Sequence, residues 1–154
     1  MTKDLCAELE VSSPKITLEP LDHGSITVHW DDIVEAVDIS HQGCSWSTLA
    51  NAMLAVRQKT LIVWAIWIGE DIQGFCLTQP AKTDYSGARA MFIYALHAND
   101  LSLDQWRDDV IPAFKDILRR VGYTKIVAVS SNPRIIEIIK HAGWQDKMLC
   151  ETEI

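Results

Sequence analysis

His41 and Cys44 stand three apart in His41-Gln-Gly-Cys44, a spacing at which an imidazole and a thiolate can share a metal ion. A structural zinc site needs four such ligands and no second pair lies nearby, so no metal is expected. Glu70, Asp84 and His97 are groups able to accept a proton, and each follows or precedes an apolar run where a turn belongs. For His97 the plainer reading is a surface histidine in a turn. Tyr94 and Tyr123 carry hydroxyls, but positions inside a strand and just after a helix read first as packing. Ser102 and Gln105 form a capping box, in which the hydroxyl accepts one helical N–H and the carboxamide reaches back to another. Leu101 and Trp106 flank it at the spacing of a hydrophobic staple.

The elements that must position these groups belong to a chain of 154 residues, 48% of them hydrophobic, which suffices for one domain with a substantial core. Fourteen basic against 21 acidic side chains leave a net charge of −7, which disfavours nucleic acid and anionic membrane as partners. Arg119, Arg120 and Lys125 read as the cationic end of a helix and not as a nucleic-acid patch. Cys6, Cys44, Cys76 and Cys150 form no C-x-x-C pair, and no signal peptide or membrane-length apolar run is visible, so a soluble, reduced, cytoplasmic protein is expected. Cys76 lies in an apolar run and reads as a small core residue.

Residues 1–14 read as a loose arm ending at Ser12-Ser13-Pro14, and 15–154 as a single domain. The pattern predicts a strand near 16–21, a turn at Asp22-His23-Gly24, a helix over 30–39 and a second helix capped by Ser45 or Ser47 and ending near Lys59. Runs 61–68 and 72–79, joined by Gly69-Glu70-Asp71, predict a hairpin whose first strand is apolar on both faces. A third strand follows over 90–96, then a helix over 103–121 with a kink near Asp108 imposed by Pro112 and a glycine cap at Gly122. A strand at 125–129, a helix capped by Asn132 with Pro133 at its first position, and a strand near 148–153 complete the order. Trp64, Trp67, Trp106 and Trp144 are expected on buried faces, and Trp30 or Trp46 as a partly exposed docking group.

This order resembles the GNAT (Gcn5-related N-acetyltransferase) fold across nearly all of 15–154. The segment Asn132-Pro-Arg-Ile-Ile-Glu-Ile-Ile-Lys-His-Ala-Gly143-Trp144 is similar to the family's C-terminal signature, and Gly74 stands where the family places a glycine in its second hairpin strand. The resemblance implies an α+β fold: a mixed, mostly antiparallel sheet with helices on both faces. It implies that, if a cofactor binds, Leu96, His97, Ala98, Ser102 and Asn132 hold acetyl-CoA. The family's proton-donating tyrosine falls on Ile139, leaving Tyr94 and Tyr123 as hydroxyl alternatives. The family's glycine-rich pyrophosphate loop falls on 97–106, which contains no glycine and where Asp100, Asp104, Asp108 and Asp109 surround the helix start.

Small GNAT-like proteins of tailed bacteriophage particles, which have lost that loop, are the kind this chain resembles. The resemblance therefore implies a non-catalytic domain without cofactor or catalytic residues, acting through contacts with other proteins in a virion. An N-acetyltransferase with an aberrant acetyl-CoA site is the second expectation.

Overall fold

The fold is described from a computed structural model for residues 15–82, 89–128, 130, 132–146 and 150–153. The 1–14 arm and Asp84 lie outside the described residues. The chain begins with β1 (Ile16–Pro20), then α1 (His23–Val28), α2 (Trp30–Ser40) and α3 (Trp46–Arg57). The predicted turn at Asp22 starts α1 instead. Its carboxylate accepts the N–H of Ser25 at 2.8 Å, which makes it a helix cap. Ser45 caps α3 by accepting the N–H of Thr48.

The hairpin forms from β2 (Ile62–Ile68) and β3 (Asp71–Lys82), followed by β4 (Arg89–Ala98). The predicted long helix is three consecutive pieces: α4 (Leu103–Gln105), a π segment (Trp106–Val110) and α5 (Ile111–Arg120). Pro112 has no N–H to give to Asp108, and the N–H of Ile111 steps back five residues to the carbonyl of Trp106. The expected irregularity near Asp108 thus takes the form of a π turn. Gly122, at φ +94°, ends α5 in the left-handed conformation. Then come β5 (Lys125–Ala128), α6 (Pro133–His141), β6 (Gln145–Asp146) and β7 (Cys150–Glu153).

The seven strands lie in the order β1-β2-β3-β4-β5-β7-β6, and only β4 and β5 pair in parallel. Alternation along β2 divides the core. Val63 and Ala65 pack with Ile33, Val37 and Met53 of α2 and α3, while Trp64 and Ile66 pack with Phe114, Trp106 and Ile138 under α5, the π segment and α6. Trp64, Trp106 and Trp144 are buried and Trp67 partly so. Trp46 is 81% exposed, and Trp30 is covered by the Arg57 guanidinium 5.0 Å above its ring. Burial drives the Cys76 thiol pKa up to about 12, which makes it a core residue and not a nucleophile.

Candidate functional site

The site begins with an extra residue in β4. Leu77 of β3 faces Ala95 and Thr78 faces Ile93, so Tyr94 has no partner and forms a β-bulge. Among the described residues, parallel pairing with β5 runs to Ile93 opposite Ala128, and at Leu96 the outer edge of β4 meets a side chain instead of a strand. Such a parting of parallel strands at their C-terminal ends is where α/β sheets present backbone groups to ligands. The N–H of Asn99 turns to Gln73 of β3 at 2.8 Å, so alternation directs the N–H groups of Leu96 and Ala98 to the open side.

The Leu96 N–H is met there by Ser40 Oγ at 2.9 Å. Ser40 follows Ile33 and Val37 on the buried face of α2 and is itself 4% exposed. Asn132 spans the same gap. Its Oδ1 accepts the N–H of Arg134, and its Nδ2 donates to the carbonyls of Ile39 (3.3 Å) and Ser40 (3.0 Å). Leu96, Ala98 and Asn132 are thus brought together around the end of α2. Ser40 is the member that sequence reasoning missed; its signal was one hydroxyl on an otherwise apolar helical face.

His97 faces the opposite direction, into a cleft of about 560 Å³ between α2, the β2–β3 turn and the end of β4. Asp32, Glu35, Glu70 and Asp71 line it together with Trp67 and Phe75. Four carboxylates and two imidazoles, His29 and His97, around one concavity suit a cation. Of the expected proton acceptors, Glu70 and His97 are therefore together in the cleft. Gly74 makes the approach possible, since a Cβ there would collide with the carbonyl of His97 and with Ala98.

Tyr94 packs against the His41 ring, with centroids 4.9 Å apart. Burial first, and the nearby Cys44 second, push its phenol pKa up, so the group keeps its proton at neutral pH. Tyr123 is at the other end of β4 beneath Arg89, whose guanidinium carbon is 4.5 Å from the ring centre. Nine residues of strand, roughly 30 Å, separate it from Ala98. Ile139 is buried in the core under α6. Among the described residues no group of three or more metal-ligating side chains occurs.

The fit of a thioester cofactor differs along its length. The open edge of β4 offers backbone groups to an acyl-pantetheine arm. The start of α4 does not offer the same to a pyrophosphate. Ser102 Oγ accepts the N–H of Gln105 at 3.1 Å, and Gln105 Oε1 accepts the N–H of Ser102 at 2.9 Å, so the capping box is complete. Asp104, Asp108 and Asp109 crowd the first turns. Ser102 is therefore a cap in this structure.

No protein-family model matches the sequence, and no curated protein matches it. Solved structures do. The aminoglycoside acetyltransferase AAC(6')-Ib in complex with coenzyme A matches with a TM-score of 0.63 at 14% identity, over 90% of this chain and 95% of that one. An aminoglycoside acetyltransferase from an uncultured soil metagenomic sample, in complex with sisomicin, matches at 0.60 and 11% identity, over 86% and 90%. A predicted acetyltransferase with acetyl-CoA from Clostridium acetobutylicum matches at 0.57 and 15% identity, over 86% and 91%.

These likenesses correct two expectations, that of a non-catalytic domain working by contact in a virion and that of no cofactor. Structures sharing this fold over most of both chains are acetyltransferases, and several hold coenzyme A or acetyl-CoA. The physical reason is that a glycine loop is one part of a donor site, and its absence leaves the backbone of β4 beyond the Tyr94 bulge in place. The bacteriophage resemblance gains no support from them. At these identities the likeness establishes the fold alone, and the chain has the GNAT fold.

Proposed function

We propose that this protein is an N-acetyltransferase that moves an acetyl group from a thioester donor such as acetyl-CoA to a cationic amine. The observation that carries the reading is the junction at His97. The backbone of its neighbours Leu96 and Ala98 faces the open edge of β4, while its own side chain faces the acidic cleft. A donor carbonyl and an acceptor amine would meet there from opposite sides of one strand. Solved acetyltransferases of the same fold that hold kanamycin or sisomicin, both polycationic amines, support the same class of acceptor.

When bound, the donor supplies an electrophilic acyl carbon and a thiolate leaving group. Asp32, Glu35, Glu70 and Asp71 draw in an amine as its ammonium form. The His97 imidazole accepts the proton that the amine must lose before its nitrogen attacks. A C–N bond forms, the C–S bond breaks, and the sulfur leaves with the electron pair and takes up a proton. The Ala98 N–H, and that of Leu96 once Ser40 Oγ releases it, stabilise the charge on the carbonyl oxygen. Tyr94, on the same strand and protonated at neutral pH, supplies a hydroxyl in place of the position filled by Ile139.

Initial rates of thiol release from acetyl-CoA, measured over a panel of mono-, di- and triamines, test the reading. Saturable release is expected, with His97→Gln lowering kcat by about 100-fold and KM by less than about threefold either way. Rates equal to those without protein across the panel contradict it.

A further inference from the structure

We infer that the donor is gripped by its acyl-pantetheine arm alone, so that the chain accepts a thioester lacking the nucleotide as readily as it accepts the coenzyme A ester. This rests on the acetyl-transfer reading above and concerns which donors the same site takes. Four independent features of the region after β4 carry it.

The connection from His97 to Trp106 holds no glycine, and its left-handed turn is made by Asp100 at φ +58°. The backbone therefore keeps a side chain where a phosphate-binding loop brings bare backbone against the anion. The N–H groups of Ser102 and Gln105 are consumed by the capping box.

Charge is the third feature. Arg107 is committed to Asp108 (2.8 Å) and Asp104 (3.3 Å), and Arg134, the other guanidinium here, to the Leu101 carbonyl and Glu137. The nearby Asp108 holds the Arg107 pKa above its ordinary value, and Arg107 holds that of Asp108 below the usual carboxylate range. The pair is thus fully ionised and mutually satisfied at neutral pH, while Asp109 and Asp100 remain as further anions. A pyrophosphate placed here would meet net negative charge.

The last feature is closure. Arg134 on α6 donates to the carbonyl of Leu101 at 2.9 Å, and His141 meets Asp104 at 2.8 Å and Arg107 at 3.3 Å. Beneath these contacts Leu101, Trp106 and Ile138 are buried against one another. The start of the long helix is clasped to α6, and the side chains that hold it there are engaged with protein groups and not with a phosphate.

Isothermal titration of the protein with coenzyme A, pantetheine and adenosine 3',5'-bisphosphate, repeated at two salt concentrations, tests the inference. Pantetheine is expected to bind within about threefold of coenzyme A, the bisphosphate not to bind below about 1 mM, and neither thiol's affinity to move with salt. Coenzyme A binding about 100-fold tighter than pantetheine, or measurable binding of the bisphosphate, overturns this inference and leaves acetyl transfer standing. Absence of binding by either thiol overturns both.

Discussion

A single hydroxyl at Ser40 bears on the outer edge of β4, because it accepts the N–H of Leu96, which points away from β3. Ser40→Ala leaves that donor unsatisfied in a largely buried place and should cost about 1–3 kcal/mol in urea denaturation. A thioester carbonyl can then take the freed N–H, so the variant should recover part of the loss when acetyl-CoA is present. Asp22 offers a cleaner pH test. Hydrogen bonds from the backbone and side chain of Ser25 hold its pKa below the ordinary carboxylate value. A depressed folded-state pKa means that the cap's contribution is present above the unfolded pKa, about 4, and is lost as the pH falls through the lower folded value. Asp22→Asn should keep the cap and flatten the pH dependence of melting temperature in that acidic window. Cys76, with its pKa at about 12 and no exposure to speak of, should resist alkylation mapped by mass spectrometry until the protein unfolds.

At the scale of elements, the capping box at Ser102 holds the start of the long helix. Ser102→Ala should cost about 1 kcal/mol in thermal or urea unfolding, and Gly74→Ala more, about 2–3 kcal/mol, because the added methyl meets β4 backbone that has no freedom to move. Signals that lie within a few residues made most elements legible in the sequence: the capping box, the Asn132-Pro133 start of α6, the change of period at Leu61 and the kink forced by Pro112. One local signal was open to a second reading. Asp22-His23-Gly24 has turn chemistry, but the same aspartate caps the short α1, and only packing of Leu21 and Ile26 against the core decides between them. What remained hidden was non-local. The bulge at Tyr94 shows only against its partner β3. The Ser40–Leu96 bond joins residues 56 apart, and the Asn132 bonds to the end of α2 join residues 92 and 93 apart. His97 carried no sign in the sequence that it would share a cleft with Asp32 and Glu35, since helix α2 is brought there by its apolar face, the side opposite to the carboxylates.

For the whole molecule, one parallel pair in an otherwise antiparallel sheet creates both halves of the site. The outer edge of β4 beyond Ile93 faces the proposed donor, and α2 with the β2–β3 turn lines the cleft whose carboxylates face the proposed acceptor. The missing glycine loop affects only the outer end of the donor, which is why its loss argues about donor length and not about catalysis. Because acceptor capture rests on charge, raising the ionic strength from low to about 0.5 M should raise KM for a polyamine several-fold while leaving kcat nearly unchanged. The measurement that bears most directly on acetyl transfer is carbon-13 NMR of the protein incubated with acetyl-labelled acetyl-CoA and a triamine. The account predicts a new amide-carbonyl resonance that grows in proportion to protein and is lost with His97→Gln. A label that stays on the thioester, or appears only as free acetate, contradicts it.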